Sequence, residues 1–502
     1  MIHGAAESHG ALLPRWLLLV LVFCTRTHFA FGHEFRAARA IIEQAIADGR
    51  APSVAVAASL KGERLWAEGF GWADRESQLK ATPDTAYGLG SVSKPITATA
   101  IMILGAKGQL ELERPANDYL KSARLVSHVG SAEDATLLSL LQHTSGLGSY
   151  YETFFADEPD RPPGMDRVIE RYGQLLWPAR KQFRYTNLGY GVLGRIVELE
   201  SGKPLGEFLA DEVFAPLHME QTSLGISTQT KVARAARHVK DGTRLPDYEA
   251  SPAAAADVWS SANDLVRFGQ LHCQAPENHL ASLPKVAIEQ MQTRLQPMGP
   301  QQYGLGWVVD RDSHRRRRVR HGGAGAGVGA ELTLFSEEGL VVAVLVNCDT
   351  SQASNPKILP TIIAEAIADE LLPRPNAEPK PAPEIPSLHK HSNLAGTWVG
   401  SINTFAGQVR LRCEIDPAGG ALLSVDGAEA VPLRVAQWGK DAVTGRFSAR
   451  LHTADVERRP HELELSVERV GDKLRGSVTA LSTHPTRGEA LPHWVELSRQ
   501  DK

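Results

Sequence analysis

The stretch Gly88-Leu-Gly-Ser-Val-Ser-Lys-Pro-Ile-Thr-Ala-Thr-Ala100 sets two serines beside one lysine at the start of an apolar run. On a helix, residues three apart share a face, whereas neighbours diverge by about 100°. Ser91 and Lys94 are three apart and Ser93 and Lys94 are adjacent, so only Ser91 can have the amine stacked over its hydroxyl. From Ile96 to Ala106 the chain is apolar on nearly every side, which predicts a helix buried at the centre of its domain. A lysine in the first turn of such a helix meets two effects of one sign, since burial and the positive end of the helix dipole both disfavour the ammonium. Its pKa is expected to fall. A neutral Lys94 can then accept the Ser91 proton, and the free amides at the helix start can hold an oxyanion. Pro95 disfavours helical geometry in the residue before it, so the first turn is expected to be tight or irregular. The same spacing recurs at Ser282-Leu-Pro-Lys285 and Ser387-Leu-His-Lys390, so spacing alone does not separate a nucleophile from an ordinary helix cap.

The chain has 502 residues, more than one core accommodates, since single domains run to roughly 250 residues. A formal net charge of -4 gives no electrostatic reason to expect nucleic acid as a partner. Arg15, the apolar run Trp16–Cys24 and Ala30-Phe31-Gly32 read as a cleaved leader over residues 1–32 and predict a secreted or periplasmic protein. The run is shorter than the about 20 apolar residues of a membrane span, and Phe23 before Cys24 is too large for a lipoprotein site. Stable membrane insertion is therefore not expected. Cys273, Cys348 and Cys413 are widely spaced and form no Cys-x-x-Cys pair, so neither a disulfide framework nor a thiolate zinc site is expected.

The prolines from Pro373 to Pro386 read as an extended spacer over 373–390, between a domain at 33–372 and a C-terminal domain at 391–502. In the first domain Phe35–Asp48 reads as a helix, and Ser53–Ser59 with Leu65–Gly71 as a hairpin through Lys61-Gly62. Residues 95–300 look largely helical. Strand patterns return at Tyr303–Val309, Arg316–Arg320, Glu331–Phe335 and Leu340–Asn347, before a last helix at 357–371. The class is α/β in the α+β sense: an antiparallel sheet built from both ends of the domain, flanked by helices, with a helical insertion. The second domain alternates in short strands and reads as a small all-β barrel or sandwich, and its Gly396-Thr-Trp398 is similar to the Gly-x-Trp of lipocalin barrels.

Two further segments bear on Ser91: Phe183-Arg-Tyr-Thr-Asn-Leu-Gly-Tyr190 and His321-Gly-Gly-Ala-Gly-Ala-Gly327. With Ser91-Val-Ser-Lys94 they resemble, in order and kind, the three motifs of the serine β-lactamase and penicillin-binding-protein superfamily. The branch is that of class C β-lactamases, D-alanyl-D-alanine carboxypeptidases, D-aminopeptidases and related esterases. Thr82–Tyr87, Leu141–Leu147, Gly189–Gly194, Ser260–Asp264 and Tyr303–Trp307 look like segments of the same branch, so the resemblance covers most of residues 35–370. It implies Ser91 as the acylated nucleophile, Lys94 as its proton partner and Tyr185 as general base, its phenol pulled down by Lys94. It further implies Asn187 and His321 as substrate-binding residues, the latter in the basic position of the third motif, and the backbone amides of Ser91 and Ala324 as the oxyanion hole. Gly322 and Gly323 would leave room for a substrate lying along the strand.

A Ser-His-Asp hydrolase built on His143 and Ser145 is a rival, but the chain has no Gly-x-Ser-x-Gly elbow, and the His-Thr-Ser-Gly loop reads better as structural. A non-catalytic, penicillin-binding-like secreted protein is a second, and a class C β-lactamase a third. Histidine at 321, where many class C β-lactamases carry lysine, predicts weak β-lactam turnover and favours ester, amide or D-amino-acid peptide substrates. The run Arg315–Arg320 either steers a substrate carboxylate or is a solvated edge strand blunted by charge. The partner expected is a small-molecule or peptide substrate, with no metal or organic cofactor.

Overall fold

The computed structural model describes residues 33–226, 232–273, 280–349, 359–374 and 393–500, with Met1 and Gly4. The expected leader and the proline spacer from 375 onward lie outside the described residues. Residues 35–502 form one compact unit, apart from residues 1–34. Among the described residues no helix is long and apolar enough to cross a membrane.

The central sheet is antiparallel. Its order runs Gln296–Met298, Gln301–Tyr303, Val308–Arg311, Arg317–Gly325, Val328–Phe335, Leu340–Val346, Ser53–Leu60, Glu63–Asp74, Leu79–Lys80. The N-terminal hairpin therefore joins a sheet otherwise made by the far end of the domain, with Val54 opposite Val346 and Leu60 opposite Leu340. Period-two alternation in Ser53–Leu60 divides the core. Val54, Val56 and Ala58 meet the helices Arg36–Ala47 and Leu359–Leu371, while Ala55 and Ala57 face the cluster around the helix Ser93–Ala106. Because both faces are covered, Leu340–Val346 is buried at every position and reads as a continuous apolar run.

Three expectations need correction. Tyr303–Val309 is not one strand: Gly306 has φ +87° and turns the chain between Gln301–Tyr303 and Val308–Arg311, and a Cβ there would lie 2.8 Å from the Ala98 methyl. The strand begun by the arginines continues through the glycines to Gly325 and lies inside the sheet, not at its edge. Three of the arginines are also spent internally. Arg316 bonds Asp312 and Asp369, Arg318 bonds Asp310 and Glu365, and Arg320 bonds Asp310, so these three form neither a solvated edge nor a steering patch. Finally, the region 95–300 holds the short strands Tyr151–Phe155, Tyr248–Ser251 and Val258–Ser260 among its helices.

The C-terminal strands follow the order Val431–Pro432, Ala421–Val425, Gly407–Ile415, Gly396–Thr404, Glu489–Arg499, Lys473–Ser482, His461–Val470, Ala442–Phe447, Arg434–Trp438. The two outermost strands are neighbours in the chain, which curls the sheet into a nearly closed barrel. Its interior is filled by side chains such as Trp398, Ile402, Leu411, Phe447, Leu465 and Val478, each 0% exposed. The first residues of Glu489–Arg499 also pair with Tyr151–Phe155, Glu489 opposite Glu152 and Ala490 opposite Tyr151.

Candidate active site

Gly90 opens the nucleophile turn with φ +52°, and a Cβ on it would fall 3.1 Å from Ala324 N. Only glycine suits both the left-handed backbone and that close approach. Gly90–Val92 make one tight 3-10 turn before the helix Ser93–Ala106. Pro95 is third in this helix, where the N–H has no intrahelical partner to lose, so the turn is tight as expected but intact. Lys94 Nζ and Ser91 Oγ stand 2.9 Å apart. Ser93 is turned away: its hydroxyl donates to Gly90 O at 2.7 Å and accepts from Val258 N at 3.0 Å, which makes it a buried structural link.

Lys94 is 0% exposed, and burial holds its amine well below the ordinary lysine range. A neutral amine has two N–H bonds and one lone pair. The two N–H bonds reach Asn187 Oδ1 at 2.8 Å and Ala255 O at 3.0 Å, which leaves the lone pair for the Ser91 hydroxyl. Tyr185 Oη is also 2.9 Å from Ser91 Oγ. Thr186, between the two motif residues, caps the helix Asn187–Ser201 by accepting from Gly189 N at 3.3 Å. The cap puts Asn187 in the first turn and Tyr185 just outside it. Beneath Tyr185 lies His143, ring centroids 4.2 Å apart, its Nδ1 accepting from Thr186 N at 3.1 Å. The His-Thr-Ser-Gly loop thus supports the tyrosine.

Burial raises the Tyr185 phenol, the reverse of the expected depression. The expectation assumed a lysine cation beside it, and a desolvated Lys94 carries no such charge. This geometry lets Lys94 accept the Ser91 proton and leaves Tyr185 as a neutral hydroxyl. Turnover is then expected to need unprotonated Lys94, so kcat/KM should fall as pH drops through a pKa well below 10.5. Tyr185→Phe should cost an amide or alkyl ester about 10²–10⁴-fold, and a p-nitrophenyl ester much less, because that leaving group departs without a proton. Equal losses on both would restore Tyr185 as the base.

His321 differs from its expected role. Its Nδ1 donates to Gly322 O at 2.8 Å and its Nε2 accepts from Tyr303 Oη at 3.0 Å, so both ring nitrogens are used inside the protein. Burial pushes it down to about 3, so it offers a substrate no positive charge. The glycine after the pair has its own reason. A Cβ at Gly323 would fall 1.9 Å from Leu89 O and 3.2 Å from Ser91 N, so its absence lets the strand lie against the turn that carries Ser91.

Ser91, Asn187 and Ala324 open onto a cavity of about 460 Å³. Tyr151, Tyr248 and Pro252 supply further wall, and Ser482, His484, Pro485, Thr486 and Gly488 reach it from the C-terminal barrel. These barrel residues had no signal in the sequence, because only the pairing of Glu489–Arg499 with Tyr151–Phe155 brings them there. Among the described residues no group of His, Cys, Asp or Glu is arranged to hold a metal ion.

The family model described as Beta-lactamase matches residues 38–366. The chain belongs to the Beta-lactamase family. As a member it falls in the β-lactamase-like serine hydrolase superfamily. It is 28% identical to PbpX of Bacillus subtilis (strain 168) over 289 residues, 57% of this chain and 67% of that protein. With the unguisins hydrolase ungD' of Aspergillus campestris (strain IBT 28561) it shares 24% identity over 333 residues, 63% of this chain and 61% of that one. The octameric penicillin-binding protein homologue from Pyrococcus abyssi has the same fold, with a TM-score of 0.55 at 20% identity over 92% of this chain and 100% of that one.

Proposed function

We propose that the protein hydrolyses ester or amide bonds, D-amino-acid peptides included, through an acyl-enzyme on Ser91. The observation that carries this reading is the placement of Ser91 Oγ 2.9 Å from both Lys94 Nζ and Tyr185 Oη. Lys94 takes the hydroxyl proton as Oγ attacks the substrate carbonyl carbon, and the oxygen that gains the electron pair faces the amides of Ser91 and Ala324. The carbon–leaving-group bond then breaks, Tyr185 gives its phenolic proton to the leaving group, and Lys94 returns a proton to Tyr185. Water attacks the acyl carbon in the second half. Its proton passes back through the same pair to Ser91 Oγ, so that one water is consumed, one acid and one alcohol or amine are released, and the enzyme is unchanged.

The cavity supports a substrate without a free carboxylate. No lysine or arginine is among the described residues that line it, Glu152 and Asp349 are, and His321 is neutral. A β-lactam carries its carboxylate on the ring attached to the leaving nitrogen, the side of Tyr185 and His321, where the neutral His321 offers it no positive charge. Nitrocefin turnover is therefore expected to fall at least about 100-fold below that of a short-acyl p-nitrophenyl ester in kcat/KM, the order of two charge-assisted contacts. The reverse ranking would make the class C β-lactamase reading the better one. Labelling the folded protein with a fluorophosphonate, followed by mass spectrometry of the Ser91 peptide, tests the hydrolase reading itself. An unmodified Ser91 would leave the non-catalytic binding protein.

A further inference from the structure

The direction in which a substrate lies follows from which residues the cavity omits. Its described wall includes Ser91, Asn187 and the strand end Ala324-Gly325-Ala326, but neither Tyr185 nor His321. Tyr185, as the proton donor to the leaving group, marks the side on which that group departs. The acyl part must then extend the other way, from Ser91 into the 460 Å³ cavity, whose wall includes Ser482, His484, Pro485, Thr486 and Gly488 of the barrel loop 482–488.

This loop is anchored to the catalytic half. Gly488 O accepts from Thr153 Oγ1 at 2.9 Å, Arg487 bonds Asp157 and Glu158 at 2.7 Å each, and a Cβ on Gly488 would fall 2.8 Å from the Tyr151 hydroxyl. Within it, His484 Nδ1 accepts the backbone N–H groups of Thr486 and Arg487, both at 3.2 Å. A nitrogen that accepts two N–H bonds carries no proton, so in the neutral ring the proton is on Nε2. Partial burial and the nearby Arg487 and Arg459 keep His484 below the ordinary histidine range, while Glu158 opposes them. On the other side of the cavity Asn187 has given its Oδ1 to Lys94, which leaves its amide N–H₂ as a donor. Glu152 is not a competing acceptor site, since its two oxygens take Tyr150 and Arg458.

We propose that His484, supplied by the C-terminal barrel, is a specificity-determining residue whose Nε2–H binds an acceptor on the acyl half of the substrate, selecting acyl groups that carry an amide carbonyl, as in peptidyl or N-acylaminoacyl donors. The proposal rests on the hydrolase reading above. A neutral donor on an anchored loop favours a neutral acceptor, and among the described residues no lysine or arginine lines the cavity to pair an anion. A plain alkyl acyl group would leave the donors without partners, which is how a polar pocket rejects an analogue that lacks the matching group.

The test uses the full chain and two substrates with one leaving group, the p-nitrophenyl esters of N-acetyl-D-alanine and of propionic acid. The quantity read is the ratio of their kcat/KM values. His484→Ala and His484→Phe are each expected to lower the ratio roughly tenfold, the size of one neutral hydrogen bond. His484→Gln, whose side-chain amide nitrogen can stand where Nε2 does, should bring it back to within about threefold of the parent. A ratio within about twofold of the parent in both the Ala and Phe variants overturns the proposal, as does an equal fall in the Gln variant. Ser91→Ala separates the two levels. If it abolishes turnover of both esters while His484 leaves the ratio unmoved, the hydrolase reading stands and the acyl-pocket proposal falls; turnover that survives Ser91→Ala overturns both.

Discussion

Ser91→Ala is expected to lower kcat on a p-nitrophenyl ester by roughly 10⁴-fold or more, and Lys94→Met to fall in the same range, with the double variant no worse than either alone. The non-additivity is the informative part. The amine lies 2.9 Å from the hydroxyl and has no other described acidic partner, its remaining contacts being the carbonyl oxygens of Asn187 and Ala255. Without Lys94 the hydroxyl keeps its proton, and without Ser91 the amine has nothing to deprotonate, so each substitution removes the same step. Methionine matches the length and suits a site that is 0% exposed. The two carbonyl groups it leaves unpaired should lower stability by about 1–3 kcal/mol each, visible as a lower urea midpoint without loss of fold. If Lys94→Met keeps more than about a tenth of parental activity at neutral pH, another group takes the proton and Tyr185 becomes the first to examine.

The site was legible where its geometry is local and obscure where it depends on distant chain. Ser91 over Lys94 follows from helical spacing, and the depressed amine from the apolar sequence after it. Tyr185 and Asn187 were legible as a motif, but the state of the phenol was not, because it is set by the burial of Tyr185 itself, which distant parts of the chain supply. His321 was misread for the same reason. Its partner Tyr303 sits across a turn that sequence alone had smoothed into a strand. The arginine run shows the limit for charge: alternate arginines on one face meet Asp310, Asp312, Glu365 and Asp369, and the last two belong to a helix more than forty residues on. The C-terminal strands were visible as alternation. What alternation cannot carry is which barrel edge is extended by another part of the chain, and this is what makes 482–488 part of the cavity.

The same seam predicts the largest stability effect among the charged residues. Arg459 is 5% exposed. It bonds Thr153 through Oγ1 and O, and it also reaches Glu158 Oε2 at 2.8 Å and Gly488 O at 3.3 Å, tying the barrel to the strand Tyr151–Phe155. Arg459→Met would remove the guanidinium from Thr153 O and Oγ1, while Gly488 O keeps Thr153 Oγ1 and Glu158 keeps Arg487. Leaving the buried Thr153 carbonyl unpaired and removing one charge-assisted bond should cost about 2–3 kcal/mol, visible as a lower urea midpoint. Glu489 provides the contrast. Burial pushes its carboxyl up to about 7 despite Arg458 at 3.2 Å and Arg459 at 3.9 Å, so its site already disfavours the charge. Its folded pKa lies above the unfolded value, so the stability it contributes is present below about pH 4.5 and is lost as pH rises through about 7. Glu489→Gln removes the charge and keeps the shape. It should cost under about 1 kcal/mol at pH 7 and flatten the decline in stability between pH 5 and 8. Equal costs for the two substitutions would mean that the arginines are held by Glu489 and not by the backbone and hydroxyl acceptors of Tyr151–Phe155.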